Sequence, residues 1–293
     1  MTINRKGIIL AGGNGTRLSP LTKAVSKQLL PIYDKPMIFY PLCTLMQGDI
    51  REILIICKPE DKSSFKKILG DGSNFGLNIK YALQKYPGGL AEAFLIGEKF
   101  ISDQPVTLIL GDNLFHGSSL SKQMKIITKQ KTGGTIFAYQ VKDPERYGVV
   151  EFDNNENALE IIEKPSNPKS NYAITGLYFY DGSVVKKAKS LKPSKRGELE
   201  ITDLNMLYLK EKSLKVEIFD KGVAWLDTGK YDSLYEASGY IYALQERQGL
   251  KISCPEEIAW NKGWISGEKF YEIAKNYGDN EYGEYLMDLY RKI

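Results

Sequence analysis

Short apolar, strand-like runs alternate with segments of helical periodicity from residue 6 to residue 130, a pattern that neither a helix bundle nor a β-sandwich can satisfy. The strand-like runs lie at 6–10, 53–57, 78–83 and 106–110, and the helical patterns at 60–69, 90–100 and 119–130. Near-continuous apolar strands separated by helices predict parallel pairing with crossover helices on both faces of the sheet. The expected class is therefore α/β, a doubly wound and mostly parallel sheet.

From Gly134 the pattern changes. Strand-like segments at 135–141, 148–152, 159–163 and 173–180 follow each other closely enough for antiparallel pairing, so the sheet is expected to be mixed. Helices are predicted over 182–190 and 200–211, with Thr202-Asp203 in or near the first turn of the second. Strands follow at 215–219 and 223–227, then a helix over about 230–247 with Gly249 as its stop. Three more helices are read at 255–261, 266–276 and 280–291, with Ser266 as an N-cap. We divide the chain into a core of 1–240 and a helical C-terminal region of 241–293. That region carries Trp260, Trp264, Phe270, Tyr271, Tyr277, Tyr282, Tyr285 and Tyr290, which calls for burial against the core or another subunit.

A chain of 293 residues with 42% hydrophobic content can bury a sizeable core. Its formal charge of +4 comes from 40 basic and 36 acidic residues that are interspersed, which suits a small anionic substrate and not a nucleic-acid duplex. No apolar run reaches the length of a membrane span and no secretory pattern is present, so a cytoplasmic protein is expected. Cys43, Cys57 and Cys254 read as buried free thiols. The single histidine, His116, follows a strand end and reads as a packing residue of a loop, which argues against a zinc centre or a Ser-His-Asp triad.

The first strand runs into Gly12-Gly13-Asn14-Gly15-Thr16-Arg17-Leu18. Bare backbone N–H groups can approach a polyphosphate here, with Arg17 and Lys27 supplying positive charge. The dinucleotide fingerprint fails, because Leu18 stands where its third small residue is required, and no Walker sequence is present. A plain glycine-rich βα turn is the alternative. In open parallel sheets ligands sit beyond the carboxyl ends of strands. Asp112 ends the run 106–111 and Asp227 ends the run 223–226, so both carboxylates stand at the rim of a core. Either alone would serve as a helix cap; together they suit a magnesium site completed by phosphate oxygens and water. Glu163-Lys164-Pro165, Arg146-Tyr147-Gly148 and Thr175-Gly176 are weaker signals that fit a sugar pocket or an ordinary strand end, and 196–203 reads as a polar surface loop entering a helix.

Residues 12–22 and 27–37 together resemble the signature of the sugar-nucleotide pyrophosphorylases, most closely the branch that uses dTTP. Further blocks at 110–113, 146–150, 163–165, 171–178, 197–203, 224–229 and 254–260 recur in family order, so the resemblance covers nearly the whole chain. It implies a Rossmann-like sheet of the nucleotide-diphospho-sugar transferase type. It further implies transfer of a thymidylyl group from dTTP to glucose 1-phosphate, with Mg2+ and release of pyrophosphate, as the first step towards dTDP-rhamnose and other deoxysugars. Carried over by position, Leu10, Gly12, Gly13, Gly15, Thr16, Arg17, Gln28, Gln84 and Gly89 would bind the nucleotide. Asn113, Tyr147, Gly148, Glu163, Lys164, Thr175 and Trp225 would line the sugar pocket. Arg17, Lys27, Asp112 and Asp227 would be catalytic, with the two aspartates holding the metal. The resemblance also implies a homotetramer with feedback by a dTDP-sugar. A uridylyl- or cytidylyltransferase of the same fold, or a nucleotide-sugar sensor without activity, is the alternative. One departure falls beside the base: Lys85-Tyr86-Pro87-Gly88 stands where the family has a Pro-Ser-Pro-Asp-like stretch.

Overall fold

The computed structural model describes residues 4–292. Strand β1 (Lys6–Ala11) leads through three short helical turns to a tight hairpin, β2 (Pro31–Ile32) and β3 (Lys35–Pro36), and then to helix α1 (Phe39–Gln47). Next come β4 (Glu52–Cys57), α2 (Lys62–Leu69), β5 (Asn78–Leu83), α3 (Glu92–Ile96), α4 (Glu98–Ile101) and β6 (Val106–Leu110). The chain continues through β7 (Asn113–His116), α5 (Leu120–Ile127), β8 (Gly134–Gln140), β9 (Gly148–Phe152), β10 (Ala158–Glu163) and β11 (Tyr172–Tyr180). It closes with α6 (Val184–Ser190), α7 (Ile201–Lys210), β12 (Leu214–Ile218), β13 (Ala224–Asp227), α8 (Tyr231–Gln248), α9 (Pro255–Asn261), α10 (Gly267–Tyr277) and α11 (Glu281–Arg291).

Nine strands form one mixed sheet. Its path is β10-β9-β11-β6-β1-β4-β5, with β8 pairing β11 and β12 off that path. The strands β6, β1, β4 and β5 run parallel, and β11 turns the sheet antiparallel at β6. Side chains of β1 alternate between two cores: Ile9 and Ala11 face one with α1, α5 and the C-terminal helices, while Ile8 and Leu10 face the other with α3, α6 and α7. Burying each such aliphatic side chain contributes about 1.5–3 kcal/mol, which is why β1, β4 and β6 are almost uniformly apolar while the edge strand β5 is not.

Three local outcomes differ from the sequence expectations. The helix over 90–100 is divided at Gly97, where an added Cβ would stand 3.0 Å from the Ala93 carbonyl oxygen and 3.1 Å from the Ile8 side chain, so a larger residue there would crowd β1. Helix α1 was not anticipated: Phe39 to Met46 are all buried, leaving no polar face to mark the helical period. Strand β13 does not join the main sheet but pairs antiparallel with β7, whose last residue is His116; that residue belongs to a strand, not a loop, and its ring packs on Tyr240. Burial holds the His116 imidazole below its ordinary range.

The aromatic C-terminal helices pack on the core through α1, and Ala259, Ile265, Phe270 and Leu286 share one hydrophobic cluster with Leu42, Cys43 and Met46 of that helix. Helix α8 runs unbroken through residue 240 and stops at Gly249 in the left-handed region, φ 65°. Ser266 caps α10 by accepting a hydrogen bond from the Lys269 N–H. All three cysteines are free and buried.

Candidate active site

A cavity of about 390 Å³ opens at the carboxyl ends of β1 and β6, of a size suited to a nucleotide or sugar phosphate. The chain leaving β1 supplies one wall. At Gly12 an added Cβ would lie 2.2 Å from Gln84 Oε1, so a larger residue would displace the Gln84 amide, and Gly13 adopts φ 86°. Gln28 packs behind this loop: its Oε1 accepts a 2.9 Å hydrogen bond from the Ser26 hydroxyl, and its Nε2 reaches the Gly12 carbonyl oxygen at 3.5 Å.

Two aspartates meet here because β7 and β13 are paired. Their register sets Asn113 opposite Asp227, and Thr228 donates from its hydroxyl to the Asp112 carbonyl oxygen at 2.8 Å, so Asp112 and Asp227 come to one end of the same ladder. Lys27 forms an ion pair with Asp112. Burial pushes the Asp112 carboxyl up, but the Lys27 ammonium and the hydrogen bonds from Lys27 and Asn113 outweigh it and hold the group below the usual carboxylate range. Asp227 goes the other way: burial, then the Asp112 charge, raise it, and Lys27, Arg146 and Arg17 only partly offset them. The Arg146 guanidinium lies 3.4 Å from Asp227.

This charge arrangement fits a divalent cation. Two partly buried carboxylates repel one another, and a bound cation would relieve that repulsion directly. Among the described residues no cluster of three or more His, Cys, Asp or Glu side chains is found, so the protein would supply two carboxylate ligands and leave the remaining positions to substrate oxygens and water.

Asn113 ties the site to its surroundings. Its Oδ1 accepts from the Gly176 N–H at 3.1 Å and from Trp225 Nε1 at 2.6 Å, and its Nδ2 donates to Asp112 at 3.0 Å. Gly176 is the residue this contact requires, because an added Cβ would stand 2.5 Å from Asn113 Oδ1. Trp225 packs against Tyr147 with ring centroids 5.1 Å apart, and burial, then Asp227, push the Tyr147 phenol up to about 12. At the far side Glu163 accepts a 2.7 Å hydrogen bond from the Thr202 hydroxyl and pairs with Lys164 at 3.1 Å.

Of the residues singled out from sequence, Leu10, Gly12, Gly13, Arg17, Gln28, Gln84, Gly89, Asp112, Asn113, Tyr147, Gly148, Glu163, Lys164, Trp225 and Asp227 line this one cavity. Lys27 reaches it through Asp112, while Gly15 and Thr16 lie outside its wall. Thr175 does not line this cavity. Ile174, Gly176 and Tyr178 of β11 line the cavity, so strand alternation turns the intervening Thr175 to the opposite face, where it is fully buried. Arg146 and Arg196 belong to the wall; the sequence offers the first only within a weak sugar-pocket signal and the second only as part of a polar surface loop, and Arg196 also pairs with Glu200 at 2.9 Å and Glu163 at 3.5 Å. Arg196 stands beside Gly197 and Arg146 two residues before Gly148, and surface turns share both patterns.

The comparisons with known proteins agree with this geometry. The family model described as nucleotidyl transferase matches residues 6–243. The chain belongs to that family. A Neisseria meningitidis glucose-1-phosphate thymidylyltransferase is 58% identical over 98% of this chain and 100% of its own length. A Mycobacterium tuberculosis protein of the same name is 52% identical over 97% of this chain and 98% of its own. Among solved structures, a Bacillus anthracis protein assigned the same activity, in complex with a sucrose, superposes with a TM-score of 0.75 at 42% identity, covering 80% of this chain and 94% of that one. A UDP-glucose pyrophosphorylase bound to UDP-glucose gives a TM-score of 0.70 at 26% identity, covering 83% and 100% of the respective chains. This nucleotidyltransferase thus shares its sheet with enzymes that act on different pyrimidine nucleotides.

Proposed function

We propose that this nucleotidyltransferase forms dTDP-glucose and pyrophosphate from dTTP and glucose 1-phosphate with Mg2+. The observation that carries the reading is the meeting of the glycine-rich loop, Lys27, Arg146 and the Asp112–Asp227 pair at one cavity. The names of relatives at 52–58% identity over nearly the whole chain support the choice of nucleotide and sugar.

The attacking oxygen belongs to a phosphate monoester, whose second pKa is about 6, so it is already ionised at neutral pH. No general base is needed. The barrier lies in bringing two anions together in line, and Arg17, Lys27 and Arg146 lower it by positioning and charge neutralisation. Asp112 and Asp227 would hold the metal, which supplies further neutralisation of phosphate charge when bound. Displacement at the α-phosphorus is direct, and dTTP made chiral there is expected to give inverted product; retention would refute the route. The reaction itself is tested by pyrophosphate release across a matrix of dTTP, UTP and CTP with several hexose 1-phosphates. Release confined to other nucleotides would overturn the proposal.

The reading extends to a cytoplasmic homotetramer feeding dTDP-rhamnose and related deoxysugars, with feedback by a dTDP-sugar. Among the described residues no helix is long and apolar enough to cross a membrane. Tyr235 and Tyr242 stand 81% and 51% exposed on α8, a face suited to contact between subunits. Light scattering that gives a monomer would remove the assembly from the proposal.

A further inference from the structure

The wall beside Gln84 contains a side chain that does not line the cavity yet dictates what the cavity offers. Gln84 follows β5, and its Nε2 donates to Glu92 Oε2 at 2.7 Å and lies 3.4 Å from the Gly89 carbonyl oxygen. Both partners are acceptors only, so the amide has one orientation: nitrogen towards Glu92, oxygen away from it. The oxygen lies against Gly12 in the cavity wall, within 2.2 Å of where a Cβ would be, and no hydrogen-bond donor from the described residues meets it. Space for the Glu92 carboxylate is made by Gly88, where an added Cβ would stand 2.4 Å from both the carboxyl carbon and one of its oxygens.

We propose that Glu92 is a positioning residue for base selection: by holding the Gln84 amide nitrogen it presents the Gln84 oxygen as a fixed acceptor to the nucleotide base. This rests on the nucleotide-binding reading given above. Thymine and uracil carry an N–H at ring position 3 that matches such an acceptor. Cytosine carries a lone pair there, which would face the Gln84 oxygen. Selection thus comes from refusing the wrong base as much as from binding the right one. With Glu92 replaced by glutamine the partner can donate or accept, so both orientations of Gln84 become available.

The test measures kcat/KM and, by calorimetry, Kd for dTTP and dCTP with the wild type, Glu92→Gln and Gly88→Ala. The second variant keeps the carboxylate but displaces it. In both variants the dTTP:dCTP preference is expected to fall about tenfold or more, with KM for glucose 1-phosphate unchanged. In a Gln84→Ala background, Glu92→Gln is expected to change that preference no further. An unaltered preference in both variants, or an equal loss without Gln84, would overturn the proposal. A wild type that binds dCTP as well as dTTP would overturn it too. Failure of the wild type to release pyrophosphate would count against the thymidylyltransferase reading alone, because the two Kd values still judge the role of Glu92.

Discussion

Lys27 is almost wholly buried and pairs with Asp112 beside the cavity, where the proposed reaction would bring two anions together. Lys27→Ala is expected to lower turnover by roughly two to three orders of magnitude, the scale for losing one stabiliser of transition-state charge, with the fold intact by circular dichroism. Wild-type turnover in the folded variant would exclude the role. Asp227→Asn keeps the shape but removes the charge that repels Asp112, and is expected to abolish activity and weaken the magnesium dependence; an unchanged magnesium titration would remove Asp227 from the metal site. That these residues would gather at one place was legible because glycine-rich turns and strand-end aspartates lie at the carboxyl edge of such a sheet; their roles stay as proposed. Thr175 was not, since its side chain depends on which face of β11 the alternation assigns it. Arg146 and Arg196 gave weak signals for the opposite reason: their type is common on surfaces, and only the fold brings them to the cavity wall.

Asn113 begins β7 and joins three elements, accepting from Gly176 in β11 and Trp225 in β13 while donating to Asp112 after β6. Asn113→Ala would leave two buried donors without an acceptor and is expected to cost about 1–3 kcal/mol in urea unfolding, together with most of the activity. A variant that keeps wild-type stability would show that the joint is dispensable. At this scale β1, β4 and β6 are legible because strands buried on both faces must be apolar along their length, while the edge strand β5 is legible only from its place in the alternation of strands and helices. The pairing of β7 with β13 could not be read: the two segments are far apart in sequence, and a short ladder leaves no periodicity of its own. Helix α1 was hidden by uniform burial, which removes the polar face that a helical pattern needs.

The whole molecule is held by two cores on either side of the sheet and a third, smaller one where the β2–β3 hairpin meets α8. Beside that third core Asp34 accepts from Gln245 at 2.9 Å and pairs with Lys35 and, at 2.9 Å, with Lys251, tying the hairpin to α8 and to the segment that follows it. Burial raises the Asp34 carboxyl, but Lys35, Lys251 and Gln245 together bring it below the ordinary aspartate value. A carboxylate depressed on folding adds stability that is complete above its unfolded pKa of about 3.9 and is lost as pH falls through the folded value. Wild type is therefore expected to exceed Asp34→Asn in stability by a constant margin at neutral pH, and that margin is expected to shrink only below about pH 4. Urea midpoints of both proteins across this range check it. A margin that already closes between pH 7 and pH 5 would mean that another group, not Asp34, links the hairpin to the C-terminal half.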